Sequence, residues 1–475
     1  MRRTSQLAAL AGAALLSGCL SGPDYKRPDI NLPAAYPQAA AGTGTPVPVQ
    51  AGWWTLYGDA TLNDLVASAL TRNADVLLAI ARIEEADGNL KEANASFLPE
   101  FDLTSSGTQR QRISQIKADP LPPGTPPVRN NVRLALTTSF EIDFWGKLRR
   151  GVEAVRAQSL SSRYAKDVVA LSLAGLTTQA YFSLRSLDAQ IVVTRDTLAS
   201  RDETLTVVRA RANGGTASDL DVQQAILIRS DAAAQLKELQ RQRALVEHQL
   251  GTLTGRLDLR IAANDGRVLP SPPTPPAGLP SSLLERRPDV RQAEQDLIAN
   301  NAKIGVAKAS MLPSISLTGT FGGESTALNS VLNNDAGRIW SIGFGLLQPI
   351  FDAGRLAARS EQAQARQRQS VAGYQKAVES AFREVADALT NSGQSDATEA
   401  DLSARLEAAR TALRLARLRY DAGYSAFLEV LDAQRTANDS ELAFLRNRQA
   451  RLAASVDLMK ALGGGWSADG KLASR

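Results

Sequence analysis

The chain has 475 residues, enough for about three globular domains of ordinary size, but Phe, Trp and Tyr make up only 5% of it. That is too little for three wide cores, and sufficient where helices meet along narrow seams of Ala, Leu and Val. One cysteine excludes an internal disulfide or a multi-cysteine metal site, one histidine, His248, excludes a histidine cluster, and a net charge of +5 beside 54 Lys+Arg and 49 Asp+Glu implies no basic nucleic-acid-binding domain.

Residues 1–18 read as a signal: Arg2 and Arg3, the apolar run Leu7 to Leu16, then Ser17-Gly18-Cys19. The run is too short to cross about 30 Å of hydrocarbon as a helix. Leu16-Ser17-Gly18-Cys19 resembles the lipobox of bacterial lipoproteins, in which the peptide is cut before the cysteine and acyl chains are added to its thiol and new amine. Cys19 is the chain's only cysteine and directly follows the apolar run, which favours lipidation over an ordinary secretory signal. Several acyl chains, at roughly 0.8 kcal/mol per buried CH₂, make a durable anchor. The resemblance, with Leu20 rather than Asp after the cysteine, implies passage to the outer membrane. Beyond this covalent lipid on Cys19, no cofactor and no metal is expected.

After a Pro/Gly/Ala-rich lead from Pro23 to Val49 and the pair Trp53-Trp54, an amphipathic segment is expected from about Leu62 to Leu98. The period then becomes two. Phe101 and Leu103 alternate with Asp102 and Thr104, and Val132, Leu134 and Leu136 with Arg133, Ala135 and Thr137, predicting strands at about 100–110 and 131–142. A polar stretch, Gln111 to Asn130, joins them. From Gly146 to Gly215 there follow 69 residues without a proline; as one helix they extend about 100 Å. Leu171, Leu173, Leu176, Ala180, Leu184 and Leu187 form its broken apolar face, and helical sequence resumes at Leu220 to Thr254, predicting an antiparallel return.

The Pro-rich stretch Leu269 to Pro280 is expected to be irregular, and beyond it the pattern starts again. Asp289-Val290 precedes Pro313 by the 24 residues that separate Asp75-Val76 from Pro99, an offset of 214. Strands are predicted at about 314–324 and 338–348, joined by the flexible stretch Gly322 to Arg338. Gly354 to Gly423 is again 69 residues without proline, at an offset of 208 from the first interval. Within it Leu402, Leu406, Ala409, Leu413, Ala416 and Tyr420 recur at spacings of 3 and 4, before a return helix from Phe427 to Leu462. The expected organisation is a signal at 1–18, a lipidated extended segment at 19–59, a first repeat at 60–256, a connector at 257–283, a second repeat at 284–462 and a tail at 463–475.

Strands apolar on one face can be a small soluble sheet or, in an outer-membrane protein, spanning strands apolar toward lipid. Four cannot close a barrel, and open edges cannot remain in hydrocarbon, so spanning strands require association between chains. The residues alone leave the number of copies open.

Leu16-Ser17-Gly18-Cys19, Gly22-Pro23-Asp24-Tyr25-Lys26-Arg27-Pro28, Trp53-Trp54, Arg287-Pro288-Asp289-Val290, Phe351-Asp352-Ala353-Gly354-Arg355 and Ala461-Leu462-Gly463-Gly464-Gly465-Trp466, in this order and with duplicated halves, resemble the TolC-like outer-membrane efflux channel family, in its lipoprotein branch. The resemblance implies a mixed α/β membrane protein. In it, a homotrimer forms a twelve-stranded β-barrel continuous with a twelve-helix periplasmic α-barrel. It also implies a periplasmic adaptor and an inner-membrane RND-type transporter as partners, outer-membrane lipids around the barrel, and passive export of drugs or other small toxic compounds. Phe144-Trp145-Gly146-Lys147 departs from its second-repeat counterpart, which argues against equal contacts by the two halves.

The same resemblance places the periplasmic gate at Arg419 to Arg435. Asp432 is the lumen-facing candidate, Glu429 and Asp421 are further carboxylates, and Arg419 and Tyr420 are restraining contacts. Symmetry repeats any inward carboxylate around the axis, giving a ring that repels itself and attracts cations; the competing reading, for each carboxylate taken singly, is an ordinary solvated side chain or helix-pair partner. The hairpin tips, with Gly215 and Thr216 in one and Gly423 and Ser425 in the other, are candidate adaptor contacts, or simply turns. No catalytic residue is expected: His248 lies on a return helix, and Gly463-Gly464-Gly465 is no dinucleotide fingerprint because it follows a helix. The competing reading is a periplasmic coiled-coil adaptor or structural lipoprotein without its own pore.

Overall fold

The protein is described by a computed structural model at residues 20–33, 36, 52–112, 128–266, 269–273, 286–333 and 337–464. The expected signal, Cys19, residues 113–127 of the first strand connection, parts of the Pro-rich connector and the tail from 465 lie outside these described residues.

A 3-10 turn, Trp53–Tyr57, precedes α1 (Ala60–Arg72) and α2 (Ala74–Ala95). Asp59 caps α1 by accepting from the amides of Thr61 and Leu62. The single segment expected from Leu62 to Leu98 is therefore corrected to two helices. Asn73 breaks it with an extended backbone, φ −65° and ψ 135°. Its side chain stabilises the break from both sides: Nδ2 donates to the Leu253 carbonyl at 3.0 Å, and Oδ1 accepts from the Asp75 amide at 2.8 Å.

Four strands, β1 (Glu100–Arg112), β2 (Val128–Ile142), β3 (Ser314–Ser325) and β4 (Gly337–Leu347), form one antiparallel sheet in the order β1-β2-β3-β4. The register sets Leu103 opposite Leu136, Leu136 opposite Phe321, and Phe321 opposite Trp340. One step away, Asp102, Thr137, Thr320 and Ser341 form a polar row. Gly322 belongs to β3 rather than to a flexible joint. A Cβ there would lie 2.2 Å from the Leu134 carbonyl oxygen and 2.5 Å from the Ala135 Cα, so the missing side chain lets the halves pair closely. The joint also contains a short helix, Leu328–Leu332.

The long helices are α3 (Lys147–Asn213) and α7 (Arg355–Asp421), of 67 residues each; here α5 is Pro288–Ala309 and α6 is Leu328–Leu332. Both long helices return antiparallel, as α4 (Asp219–Thr254) and α8 (Phe427–Ala461). Asp202 meets Arg229 and Asp188 meets Arg243 along the first pair, and Arg410 meets Glu441 and Asp396 meets Arg451 along the second. Of the expected apolar face on α3, Leu173, Ala180, Leu184 and Leu187 are buried and Leu176 is exposed.

The chain divides into two compact units, each of three stretches and each drawing on both halves. One comprises residues 1–28, 83–161 and 293–373, and contains the sheet; the other comprises 29–82, 162–292 and 374–475. The second unit contains a core in which several of the scarce aromatics meet. Trp53 and Tyr57 pack with Tyr181 and Phe182 of α3, Leu250 of α4, Leu259, Ile261 and Leu269 of the connector, and Leu452, Val456 and Met459 of α8. The rings of Tyr57 and Phe182 are 4.8 Å apart, and the Tyr57 hydroxyl shares a 2.5 Å hydrogen bond with the Ser455 hydroxyl.

An ionic cluster borders this core in each half. Arg243 donates to Asp188 at 2.6 Å, to Glu247 at 3.3 Å and to the Ile261 carbonyl at 2.7 Å. Glu247 accepts from the Ile261 amide, and Asp188 accepts from the Asn264 amide and from Arg185. The connector is thus held by main-chain bonds on both sides. At an offset of 208, Arg451 meets Asp396 at 2.5 Å and also Glu399, while Arg448 reaches the Leu269 carbonyl.

Candidate functional site: strand faces and hairpin tips

The sheet presents two unlike faces. Phe101, Leu103, Leu136, Leu317, Phe321, Trp340, Ile342, Phe344 and Leu346 share one, and all are exposed in the protomer, Ile342 to 83%. Asp102, Thr104, Thr137, Ser316, Thr318, Thr320, Ser341, Gly343 and Gly345 share the other. Water disfavours the first face and hydrocarbon the second, so the sheet suits a boundary between the two. Among the described residues, β1 and β4 each pair with one neighbour only, leaving two edges unfilled. No described helix is long and apolar enough to cross a membrane.

At the far end of each hairpin the turn has the same construction. Thr216 N–H donates to the Arg211 carbonyl and Gly215 N–H to that of Ala212; Tyr424 N–H donates to Arg419 and Gly423 N–H to Tyr420. These are Schellman motifs, which need a left-handed residue after the helix; Gly215 has φ 75° and Gly423 φ 79°. Thr216 also donates its hydroxyl to the Arg211 carbonyl at 3.0 Å. Open space surrounds both glycines.

The tips then diverge. Ser218 caps α4 in a reciprocal capping box with Asp221, whereas α8 starts behind Ala426 with no side-chain cap. The Ser425 hydroxyl is buried with no hydrogen-bond partner. The tips also pack together: Leu205 and Val208 of α3 and Ala225 of α4 meet Phe427, Val430 and Leu431 of α8. Tyr420 lies against this cluster, its ring 5.3 Å from that of Phe427 and 5.0 Å from the Arg211 guanidinium.

Every gate candidate carries a charge or ring partner within the protomer. Asp432 accepts from Arg435 one turn along at 2.7 Å, Glu429 lies 3.9 Å from Arg419, and Asp421 lies 4.0 Å from Arg211. Asp432 and Glu429 are exposed and three residues apart, hence on one side of α8. Arg211, Phe427 and the two ionic clusters escaped the sequence reading. Asp188 and Asp396, like Arg243 and Arg451, recur at the same offset of 208 as the two 69-residue intervals, and that recurrence was the available signal.

The sequence model described as outer membrane efflux protein matches residues 65–256 and 279–464. The chain belongs to the outer membrane efflux protein family. It is 33% identical over 468 residues to the outer membrane protein OprJ of Pseudomonas aeruginosa, covering 97% of this chain and 96% of that one. It is 32% identical over 462 residues to the toluene efflux pump outer membrane protein TtgI of Pseudomonas putida, covering 95% and 97%. Among solved structures, the CmeC outer membrane channel of Campylobacter jejuni superposes with a TM-score of 0.86 at 26% identity, covering 94% of this chain and 96% of that chain. The protein is an efflux channel of the outer membrane, with a TolC-like mixed α/β fold built on a duplicated protomer.

Proposed function

We propose that this efflux protein is the passive exit duct of a tripartite system, receiving drugs or other small toxic compounds from an inner-membrane RND-type pump through a periplasmic adaptor. One observation carries the reading: a four-stranded sheet apolar on one face, polar on the other and, among the described residues, unpaired at both edges. In hydrocarbon such edges must be filled, and β4 of one protomer filling β1 of the next closes a trimer into twelve strands. The polar face, with Asp102 among its Thr, Ser and Gly residues, then lines the lumen. A soluble adaptor or structural lipoprotein would leave the apolar face in water. Energy is supplied by the pump, so the duct breaks no bond. The printed name of TtgI, a toluene pump component, supports organic cargo, as does the scarcity of soft sulfur ligands, with Met311 and Met459 the only methionines after the signal.

The lipobox at Cys19 supports a covalent lipid anchor, and the duplicated sequence supports repeats bounded near 60–256 and 284–462. The tips, with Gly215, Thr216 and Gly423 exposed and Ser425 partly buried just before α8, suit adaptor contact without backbone strain. At the aperture, Asp432 is the lumen carboxylate, with Glu429 and Asp421 beside it and Arg419 and Tyr420 holding the second tip against the first. Asp432 is exposed and only one arginine on its own helix offsets it, so a symmetric ring retains negative field. Single-channel recording of the reconstituted protein tests function and gate together. A conductance with cation preference that weakens in Asp432→Ala is expected. No conductance in any state overturns the channel reading; an unchanged preference across salt concentrations removes Asp432 from the gate.

A further inference from the structure

The duplication should give two equivalent strand-to-helix junctions, β2 into α3 and β4 into α7, but they are differently clothed. At the second, a Cβ on Gly354 would meet nothing within 4 Å, and Ile350 and Phe351 are each 89% exposed. At the first, a Cβ on Gly146 would lie 2.8 Å from Leu20 Cδ1. Among the described residues, the segment just beyond Cys19 covers the first junction and nothing covers the second in the same way.

That segment is held residue by residue. Ser21 N–H donates to the Trp145 carbonyl at 3.1 Å, and the Ser21 carbonyl accepts from Arg150 Nε at 3.3 Å. Arg150, its side chain only 3% exposed, donates further to Asp24 at 2.6 Å and to Glu153 at 2.7 Å. The Pro23 carbonyl accepts from Asn301 Nδ2 at 2.9 Å. Arg27 forms a fork on Glu294 of α5, 2.7 and 2.9 Å, and Tyr25 donates to the same carboxylate at 3.2 Å.

The closest approach is backbone on backbone. Gly22, at φ 91°, could carry a Cβ only 2.6 Å from the Gly305 Cα, and a Cβ on Gly305 would lie 2.5 Å from the Ser21 carbonyl oxygen and 2.8 Å from Arg150 Cγ. Two glycines on different segments are needed for this contact. The other half lacks the receptor. At the repeat offsets, Ala358 stands for Arg150, Lys91 for Gly305 and Ile80 for Glu294. One groove per protomer is therefore built, and the segment occupies it.

We propose that Ser21 to Arg27 is a docking strap, locked by the Gly22–Gly305 contact, that fixes the chain's acylated end at the first strand-to-helix junction. Cys19 is one peptide unit, about 3.8 Å between Cα atoms, from docked Leu20, so its acyl chains enter the membrane at a set place on the channel wall and not at the end of a free tether. The acyl part rests on the lipid anchor proposed above; the strap does not. Three anchors per trimer then mark the first junctions, and the second junctions meet the bilayer edge with Ile350 and Phe351 alone.

Limited trypsin digestion of the full trimer, purified from outer membranes in detergent, tests this at Lys26, an exposed bond that must leave the groove to be cut. Gly305→Ala improves the intrinsic propensity of α5 but expels the strap, and Gly22→Ala expels it from its own side. In both, release of peptide 19–26 should quicken about 10- to 100-fold, and Glu294→Gln should give a smaller rise. Lys91→Ala, at the matching site of the other half, should leave the rate unchanged. Wild-type rates in both glycine variants overturn the strap, as does an equal rise in Lys91→Ala. The mass of the released peptide reports acylation separately: an unmodified Cys19 sinks the anchor while the release rates still decide the strap.

Discussion

The two helical hairpins have long helices of the same length, the same Schellman turns and an arginine–aspartate pair at matching positions, yet they are fastened differently. In the first, Asp188 has a side chain 1% exposed, bonded to two arginines and a connector amide. In the second, Asp396 is 54% exposed and, among the described residues, meets only Arg451, which Glu399 also holds. The first return helix starts with a full capping box and the second with none. Local opening is governed by the number and burial of such ties, not by helix length. The second hairpin, which bears the proposed gate, has the more exposed of these two aspartates and an uncapped return helix, although that helix buries more side chains than its counterpart.

The sharpest way to break this comparison is to remove the same side chain from both hairpins. Asp188→Ala leaves Arg243 and Arg185 in a largely dry site without their shared partner, which should cost about 3–5 kcal/mol. Asp396→Ala removes a half-exposed partner, with an expected cost of no more than about 1 kcal/mol. Urea unfolding of the detergent-solubilised protein, followed by helix content, measures both. Equal losses would show that the two pairs are interchangeable and that burial is a poor guide to how tightly each hairpin is held.

A smaller change should make the hairpins alike. Ala426→Ser places a hydroxyl three residues before Glu429, recreating the capping box that Ser218 and Asp221 form on the first return helix. It should stabilise the start of α8 by about 1 kcal/mol, and Ser218→Ala should destabilise the start of α4 by a similar amount. Hydrogen exchange of the amides after each cap reads these effects. If the second tip opens the duct, Ala426→Ser should also lower the open probability, because Glu429 is drawn toward the cap and the helix start is tightened. Slower exchange with unaltered gating would separate local order at this tip from the gate.

The repeats, the long helices and the alternating strands were legible because each follows a period that the backbone imposes: 3.6 for the helices, two for the strands, and 208 or 214 for the duplication. The break at Asn73 was not, because an Asn inside an apolar-periodic run becomes a terminator only when its amide finds a carbonyl, here that of Leu253, 180 residues away. Gly322 looked like loop for a related reason, since its role depends on Ala135 of a strand from the other half. At the second hairpin tip the turn at Gly423 was legible in the sequence but Arg211 was not, because its contact with Tyr420 exists only once the tips pack. Charges and turns are local; their partners are set by the fold.

A modest effect at neutral pH is expected at what both hairpins share, the aromatic turn at the N-terminal side of the core. Tyr57 reaches the second hairpin through Ser455, and Asp59 reaches the first through Tyr181, at 2.5 Å in each case. Burial pushes the Tyr57 phenol up from 10.0 to about 12, the Ser455 bond acting against it. Burial does the same for Tyr181, also to about 12, with the Asp59 hydrogen bond adding to the rise and Arg185 opposing it. Below the unfolded value both states keep their protons and the stabilisation is complete. As pH rises from 10 toward 12 the unfolded chain releases protons that the folded chain retains, so stability falls. Tyr57→Phe removes one of these groups, and Ser455 keeps its bond to the Leu452 carbonyl, so the neutral-pH cost should be only about 0.5–1.5 kcal/mol. In return the alkaline decline should become shallower, read as the unfolding midpoint against pH. A decline as steep as wild type would place the alkaline weakness elsewhere and leave the second hairpin's tie to the turn a matter of packing rather than of its hydroxyl.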